Sequence, residues 1–256
     1  MTPPPFQKPF EISQPPSGDW ITQPKLDGVA AAYSSGKLWS KSGKIFPSAS
    51  FAHILNDLRS AHNDSEDYAI YGELWSPDYT LQEINGMCNH HRISTEPVPL
   101  LFVIYDYFDR RQPFTGYTSR IDECADFKSA RFVYFIGCPP PYSDSSVDGT
   151  IYRSPRGIFI YDRPTPNVRK LKNRAEMDAT VVGCEFGAKD SKIAGLVSSL
   201  HCLTPGGVPF SVYSGLTFEQ STWYRDSLPK KVKVKYLRLS DAGAPLNPVF
   251  LEEVEI

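Results

Sequence analysis

The sequence predicts an α+β domain followed by a small β-barrel of the OB type, and three observations predict it. Up to about residue 173, strand-like runs rich in Tyr, Val, Ile, Leu and Phe are interleaved with stretches of helical periodicity. Beyond that point the texture changes to short strands at 179–186, 195–202, 208–214 and 231–239, separated by Gly/Pro turns, with one helix at 217–227. The length of 256 residues, 41% hydrophobic and 22% charged, suffices for two globular cores. The expected domains are therefore 1–173 and 174–256.

Residues 1–19, rich in Pro and Ser, read as an extended leader lying on the surface. Strands are expected at 29–33, 37–41, 68–74 and 101–107. Phe51, Ile54, Leu55 and Leu58 recur at helical spacing behind Ser48 and Ser50, either of which suits a cap. A second helix is expected over 118–129, with Ile121, Cys124 and Phe127 or Lys128 along it. The run Cys138–Pro141 breaks any regular element, and strands resume at 149–153, 157–161 and 179–186.

The net charge of −2 neither demands nor forbids nucleic acid, because a basic groove can sit on a neutral protein. Five scattered cysteines (Cys88, Cys124, Cys138, Cys184, Cys202) form no Cys-x-x-Cys pair, which disfavours a disulfide framework or zinc knot. The start MTPPPFQKPF has no apolar signal region, and the longest aliphatic and aromatic run, Leu100 to Tyr105, is too short to span a bilayer. A soluble cytoplasmic protein, monomeric and without a membrane partner, is the expectation.

Several short constellations carry chemistry. Lys25 and Asp27 in Lys25-Leu26-Asp27-Gly28 lie two residues apart on an extended backbone and so share a face, while Gly28 permits a close backbone approach. A protonated lysine is a poor nucleophile, and neighbouring cations favour the neutral amine. Lys170 and Lys172 supply such a pair, either meeting a phosphate-rich ligand or forming a solvated strand face. In Tyr71-Gly72-Glu73-Leu74 and Asp148-Gly149-Thr150-Ile151-Tyr152-Arg153, Glu73 and Asp148 are oxygen donors suited to one divalent cation. Tyr105 closes the strand Phe102–Asp106 and either stacks on a base or packs in the core. Lys231, Lys233 and Lys235 alternate with Val232 and Val234, giving one strand face three ammonium groups, which fits a phosphate backbone or a solvated barrel face. The adjacent His90 and His91 point apart and make a poor chelate, and Trp39, Trp75 and Trp223 read as packing residues.

Taken in order, these pieces resemble the ATP-dependent DNA ligases of the covalent nucleotidyltransferase superfamily. Lys25-Leu26-Asp27-Gly28 looks like the motif of the nucleotide-accepting lysine, and Ser40-Lys41-Ser42-Gly43 like the element whose basic residue meets the nick 5′-phosphate. Gly72-Glu73-Leu74, Tyr105-Asp106 and Lys170-Leu171-Lys172 match three later motifs in their usual order. Ala194–Val197, Tyr213–Thr217 and 232–251 resemble the ligase OB domain, so the likeness covers nearly the whole chain. The resemblance implies a nucleotidyltransferase domain of ATP-grasp-like antiparallel sheets with helices, then an OB-fold barrel. It implies ATP as AMP donor, Mg²⁺ or Mn²⁺ as cofactor, nicked double-stranded DNA as partner, and a minimal enzyme of phage or viral type, then in the host cytoplasm.

In that scheme Lys25 takes AMP, Asp27 orients the ribose or the nick, and Glu73 and Asp148 hold the metal. Lys170 and Lys172 meet the α-phosphate, Tyr105 stacks on adenine, and Gln23 reads its edge. Lys41, Lys231, Lys233 and Lys235 contact DNA. The chain departs from the pattern at Ala30, where an arginine is usual, at Tyr71, which replaces an aspartate, and at Pro245-Leu246-Asn247-Pro248. The fourth motif falls at Asp148-Gly149 or, in another register, at Arg156-Gly157, which would remove the acid. The acidic end, with Glu252, Glu253 and Glu255, lacks the basic motif that orients pyrophosphate. Two rival readings follow: a degenerate nucleotidyltransferase that binds nicks without sealing them, and an RNA ligase or GTP-using capping enzyme.

Overall fold

The computed structural model describes residues 2–61, 64–89, 97–124, 131–136, 147–161 and 163–254. The chain divides into two compact units, Met1–Lys172 and Asn173–Ile256. His90, His91, Phe127, Lys128, the run Cys138–Pro141 and Glu255 lie outside the described residues.

The first unit holds two sheets. One has strands β1 (Lys8–Ile12), β2 (Ile21–Leu26), β8 (Val147–Arg153) and β9 (Pro164–Lys172) in the order β1-β9-β8-β2, with β1 and β9 parallel. The other has β3 (Val29–Ser34), β4 (Lys37–Ser40), β5 (Tyr68–Trp75), β6 (Leu101–Asp109) and β7 (Val133–Phe135) in the order β4-β3-β5-β6-β7. Among the described residues, the unit also has helices α1 (Ala52–Ala61), α2 (Leu81–Asn89) and α3 (Tyr117–Asp122).

Strand β5 is buried almost throughout, so it reads as a continuous apolar run rather than an alternation. Its even positions Ile70 and Leu74 join the cluster built from Ile54, Leu55 and Leu58 of α1 and Ile84 of α2. Its odd positions face the other way, where Ala69 and Tyr71 meet Phe108 and Phe159, and Trp75 meets Leu26 and Val103. Glu73, between Tyr71 and Trp75, shares that second face by the two-residue period.

The expected strands at 29–33, 37–41, 68–74, 101–107 and 149–153 and the helix behind Ser50 are present. Residues 157–161 are not a strand: Phe159 is buried there on irregular backbone, so an apolar composition reflects packing rather than pairing. Of the helix expected over 118–129, α3 (Tyr117–Asp122) is present, and 125–129 lie outside the described residues. The leader is likewise more than a surface tail. Its β1 lies along β9, Pro4 is buried, and Tyr71 donates a hydrogen bond of 2.6 Å to the Pro5 carbonyl.

The second unit is one five-stranded sheet, β12-β11-β10-β13-β14, formed by β10 (Ala175–Phe186), β11 (Val197–Leu203), β12 (Pro209–Val212), β13 (Lys231–Tyr236) and β14 (Val249–Glu253). Val197, Leu200, Val212, Val232, Val234 and Phe250 form its core. Helix α4 (Phe218–Trp223) starts in a capping box between Thr217 and Gln220. The closed barrel expected from the sequence is not formed by these ladders, because β12 and β14 remain edge strands. Strand β12 is four residues long and opens at Pro209, so it offers little backbone for a closing ladder. A hydrogen bond from Phe250 N–H to the Ser214 carbonyl, 2.9 Å, ties the two edges at one point. Trp39 and Trp75 are buried as expected, but Trp223 ends α4 at the surface, 72% exposed.

Candidate active site

A cavity of about 280 Å³ opens between the two sheets of the first unit. Gln23, Lys25, Lys41, Glu73, Tyr105 and Lys170 all line it. These six come from sequence positions as far apart as 23 and 170, and strand geometry explains their convergence. Gln23 and Lys25 are two residues apart on β2, while Glu73 faces out from β5.

Local irregularities aim two of the acids. Opposite Lys25, the β2–β8 register shifts between Pro24↔Thr150 and Leu26↔Val147, so Asp148 and Gly149 together face one residue. This β-bulge brings Asp148 Oδ2 to 2.6 Å from Lys25 Nζ. Gly149 has φ +139°, and a Cβ there would lie 2.0 Å from the Leu171 carbonyl oxygen, so only glycine lets β8 turn against β9. The Arg156-Gly157 pair instead lies in the turn beyond β8, against Gly116. Asp148 is thus the acid beside Lys25.

A second bulge lies in β6, where Tyr71 pairs with Asp106 and Gly72 with Ile104, leaving Tyr105 unpaired. Tyr105 and Asp106, consecutive in sequence, are thereby turned to the same side. Asp106 is fully buried between Arg120 (Nε to Oδ1, 3.0 Å) and Arg153 (Nη1 to Oδ2, 2.9 Å). The Arg153 guanidinium lies over the rings of Tyr105 and Tyr117, at 5.1 and 5.0 Å from their centroids. Gln23 accepts from Arg153 Nε at 2.8 Å and donates to the Tyr117 hydroxyl. Its amide therefore organises the cavity floor as well as facing into it.

Burial pushes the Glu73 carboxyl up to about 7, although Lys25 and Lys41 pull it down. Burial, with Glu73 next, also raises the Tyr105 hydroxyl well above its usual range. Among the described residues, no three His, Cys, Asp or Glu side chains gather as a metal cluster. Mg²⁺ needs only one or two carboxylates when substrate phosphates supply the other oxygens, and a half-buried acid that its lysines do not fully offset fits that donor set.

The remaining predicted residues stand apart from the cavity wall. Strand β2 ends at Leu26, so the shared face expected for Lys25 and Asp27 stops at the strand end. Asp27 is buried in the bend that follows, next to Gly28, whose missing Cβ lets the chain pass the Leu74 carbonyl at a distance where a methyl would stand 2.5 Å away. Lys172 lies beside Lys170 on β9, and both approach Glu11 Oε2, at 3.6 and 3.2 Å. In the second unit, Val232 and Val234 are buried and the β13 lysines face outward, as alternation predicts. Two of the three have acidic cross-strand neighbours: Glu176 opposes Lys235, Asp178 opposes Lys233, and Lys233 bonds Glu252 at 2.8 Å, while Lys231 opposes Thr180. That face is charge-compensated rather than uniformly cationic.

Arg153, Arg120 and Gln7 escaped the sequence reading. Arg153 carried a weak signal, two residues beyond Ile151 on the cavity face of β8. Arg120 and Gln7 carried none, since only the fold brings Arg120 to Asp106 and Gln7 to the cavity wall.

No family model and no curated protein matches the sequence. Solved structures do match in fold. One is a Lig E DNA ligase described as binding DNA with a minimal scaffold (TM-score 0.70, 16% identity, over 97% of this chain and all of that one). A second is Pmar-Lig_Pre (TM-score 0.70, 18% identity), of whose length this chain spans 62%, with 90% of this chain covered. A third is the Chlorella virus DNA ligase–adenylate (TM-score 0.50, 17% identity, over 98% of this chain and 99% of that one). The chain shares its fold with these DNA ligases.

Proposed function

We propose that the chain is an ATP-dependent DNA ligase that seals nicks in duplex DNA through a lysine–AMP intermediate. The observation that carries this reading is the convergence of Lys25, Glu73, Tyr105 and Lys170 on one cavity, with Asp148 bonded to Lys25. In the first step Lys25 Nζ attacks the α-phosphorus of ATP, an N–P bond forms, and the P–O bond to pyrophosphate breaks. The ammonium proton has an acceptor in Asp148 Oδ2 at 2.6 Å. A nick 5′-phosphate oxygen then takes the AMP and frees Lys25, and the 3′-hydroxyl displaces AMP to join the strands.

Little covalent work falls to the protein beyond Lys25; its contribution is positioning and charge stabilisation. Tyr105 offers the base a face, with the Arg153 guanidinium 5.1 Å from the ring centroid. Lys170 and Lys172 neutralise the α-phosphate, and Lys41 meets phosphate at the cavity mouth. Asp27, buried just after β2, orients the ribose or the nick. Mg²⁺ or Mn²⁺, held by Glu73 and Asp148 with phosphate oxygens, would supply charge neutralisation. The second unit forms an OB-type module that meets DNA through Lys231, Lys233 and Lys235, and the two functional domains are 1–173 and 174–256.

The test offers α-labelled ATP or GTP with Mg²⁺, then a nicked duplex. Label from ATP followed by sealing supports the ligase. Nick binding without label would favour a non-catalytic binder, label from GTP alone a capping enzyme, and sealing of RNA alone an RNA ligase.

A further inference from the structure

The leader strand β1 enters the site through Glu11. In the parallel β1–β9 ladder Glu11 is registered with Lys170, so both side chains share a face with Lys172, two residues on. Both ammonium groups reach the same carboxylate oxygen, Oε2, at 3.2 and 3.6 Å. Two cations converging on one oxygen is the arrangement a non-bridging phosphate oxygen would receive. The leader is held there by further contacts: Tyr71 bonds the Pro5 carbonyl, Phe6 meets the Tyr71 ring edge-on at 5.3 Å, and Phe6, Gln7 and Pro9 line the cavity.

We propose that Glu11 is a resident carboxylate ligand of the Lys170–Lys172 pair, which nucleotide phosphate must displace, so that Glu11 sets the affinity of the site for the polyphosphate chain. The proposal rests on reading this cavity as a nucleotide site. Glu11 is 44% exposed, and such solvated pairs are weak, so a multiply charged phosphate displaces the carboxylate readily. One carboxylate leaves the lysine pair with a net positive charge, which keeps the empty site ordered yet attractive to anions.

The test measures binding of inorganic tripolyphosphate by titration calorimetry, without divalent cation, so it does not depend on adenylylation. Glu11→Gln keeps the shape and removes the charge. It is expected to tighten binding about three- to tenfold and to steepen its loss with salt. Asp190→Asn, which removes one charge from an exposed turn of the second unit, controls for net charge and is expected to match the wild type. Replacing both Lys170 and Lys172 by Ala is expected to weaken binding and to erase the Glu11→Gln gain. Equal affinity in Glu11→Gln and Asp190→Asn, weaker binding in Glu11→Gln, or a gain that survives replacement of both lysines would each overturn the proposal. A chain that forms no AMP adduct yet shows the Glu11→Gln gain would sink the ligase reading and support this one.

Discussion

Lys25 Nζ and Asp148 Oδ2 stand 2.6 Å apart although 123 residues separate them in the chain, and a β-bulge on β8 makes the meeting. The pair joins an amine to an acid on adjacent strands, with side chains only 23% and 12% exposed. In the proposed mechanism Asp148 orients the amine and accepts its proton. Asp148→Asn keeps the shape and loses the basic oxygen. Single-turnover adduct formation is expected to slow by about 100-fold or more, with a smaller change in apparent ATP affinity.

Glu73 makes stability depend on pH. Its carboxyl sits at about 7 in the folded chain against an ordinary value of 4.5, so between those values the folded state holds a proton that the unfolded state has lost. Stability is therefore full below about 4.5 and falls as pH rises through about 7. Urea denaturation from about pH 4.5 to 8 is expected to show this decline, and Glu73→Gln to flatten it. In its proposed role as metal ligand Glu73 must lose the same proton, so Mn²⁺ affinity is expected to weaken about tenfold per pH unit below about 7 and to lose that slope in Glu73→Gln.

Gly149 is where backbone and site are most tightly coupled. A Cβ there would meet the Leu171 carbonyl oxygen at 2.0 Å and Lys172 Cα at 2.8 Å, at a φ that side chains avoid. Gly149→Ala is expected to cost about 2–3 kcal/mol and to push β8 from β9, displacing Asp148. Thermal melting checks the first effect and adduct formation the second.

Strand chemistry made much of this site legible. Lys25, Glu73, Tyr105 and Lys170 stand beside strand-like runs, and a two-residue period carries them to one side. The α1 stripe Phe51, Ile54, Leu55 and Leu58 is buried throughout, as its spacing requires. Strand β1 was missed because KPFEI mixes two charges with a proline and is largely exposed at a sheet edge. Helix α2 had a readable start in Thr80 and Glu83, where Glu83 Oε2 accepts from Thr80 N–H at 2.8 Å, but Gly86 and the polar LQEIN run hid it. The two bulges that aim Asp148 and Tyr105 leave no mark on hydrophobic periodicity, because they are set by pairing partners.

The Arg120–Asp106–Arg153 cluster is the hidden support of the cavity floor. Asp106 is wholly buried, and removing its charge leaves two guanidinium groups without their anion. Asp106→Asn is expected to destabilise the chain by about 3–5 kcal/mol in urea denaturation. Because Arg153 lies over Tyr105, the variant is also expected to bind ATP more weakly under conditions where it remains folded.

The account turns on Lys25 as the nucleophile, and peptide mapping by mass spectrometry tests it most directly. After incubation with ATP and Mg²⁺, the peptide carrying Lys25 should gain the mass of one AMP, and Lys25→Ala should gain none. An AMP found on another residue, an adduct that persists in Lys25→Ala, or no adduct on the wild type would contradict the account.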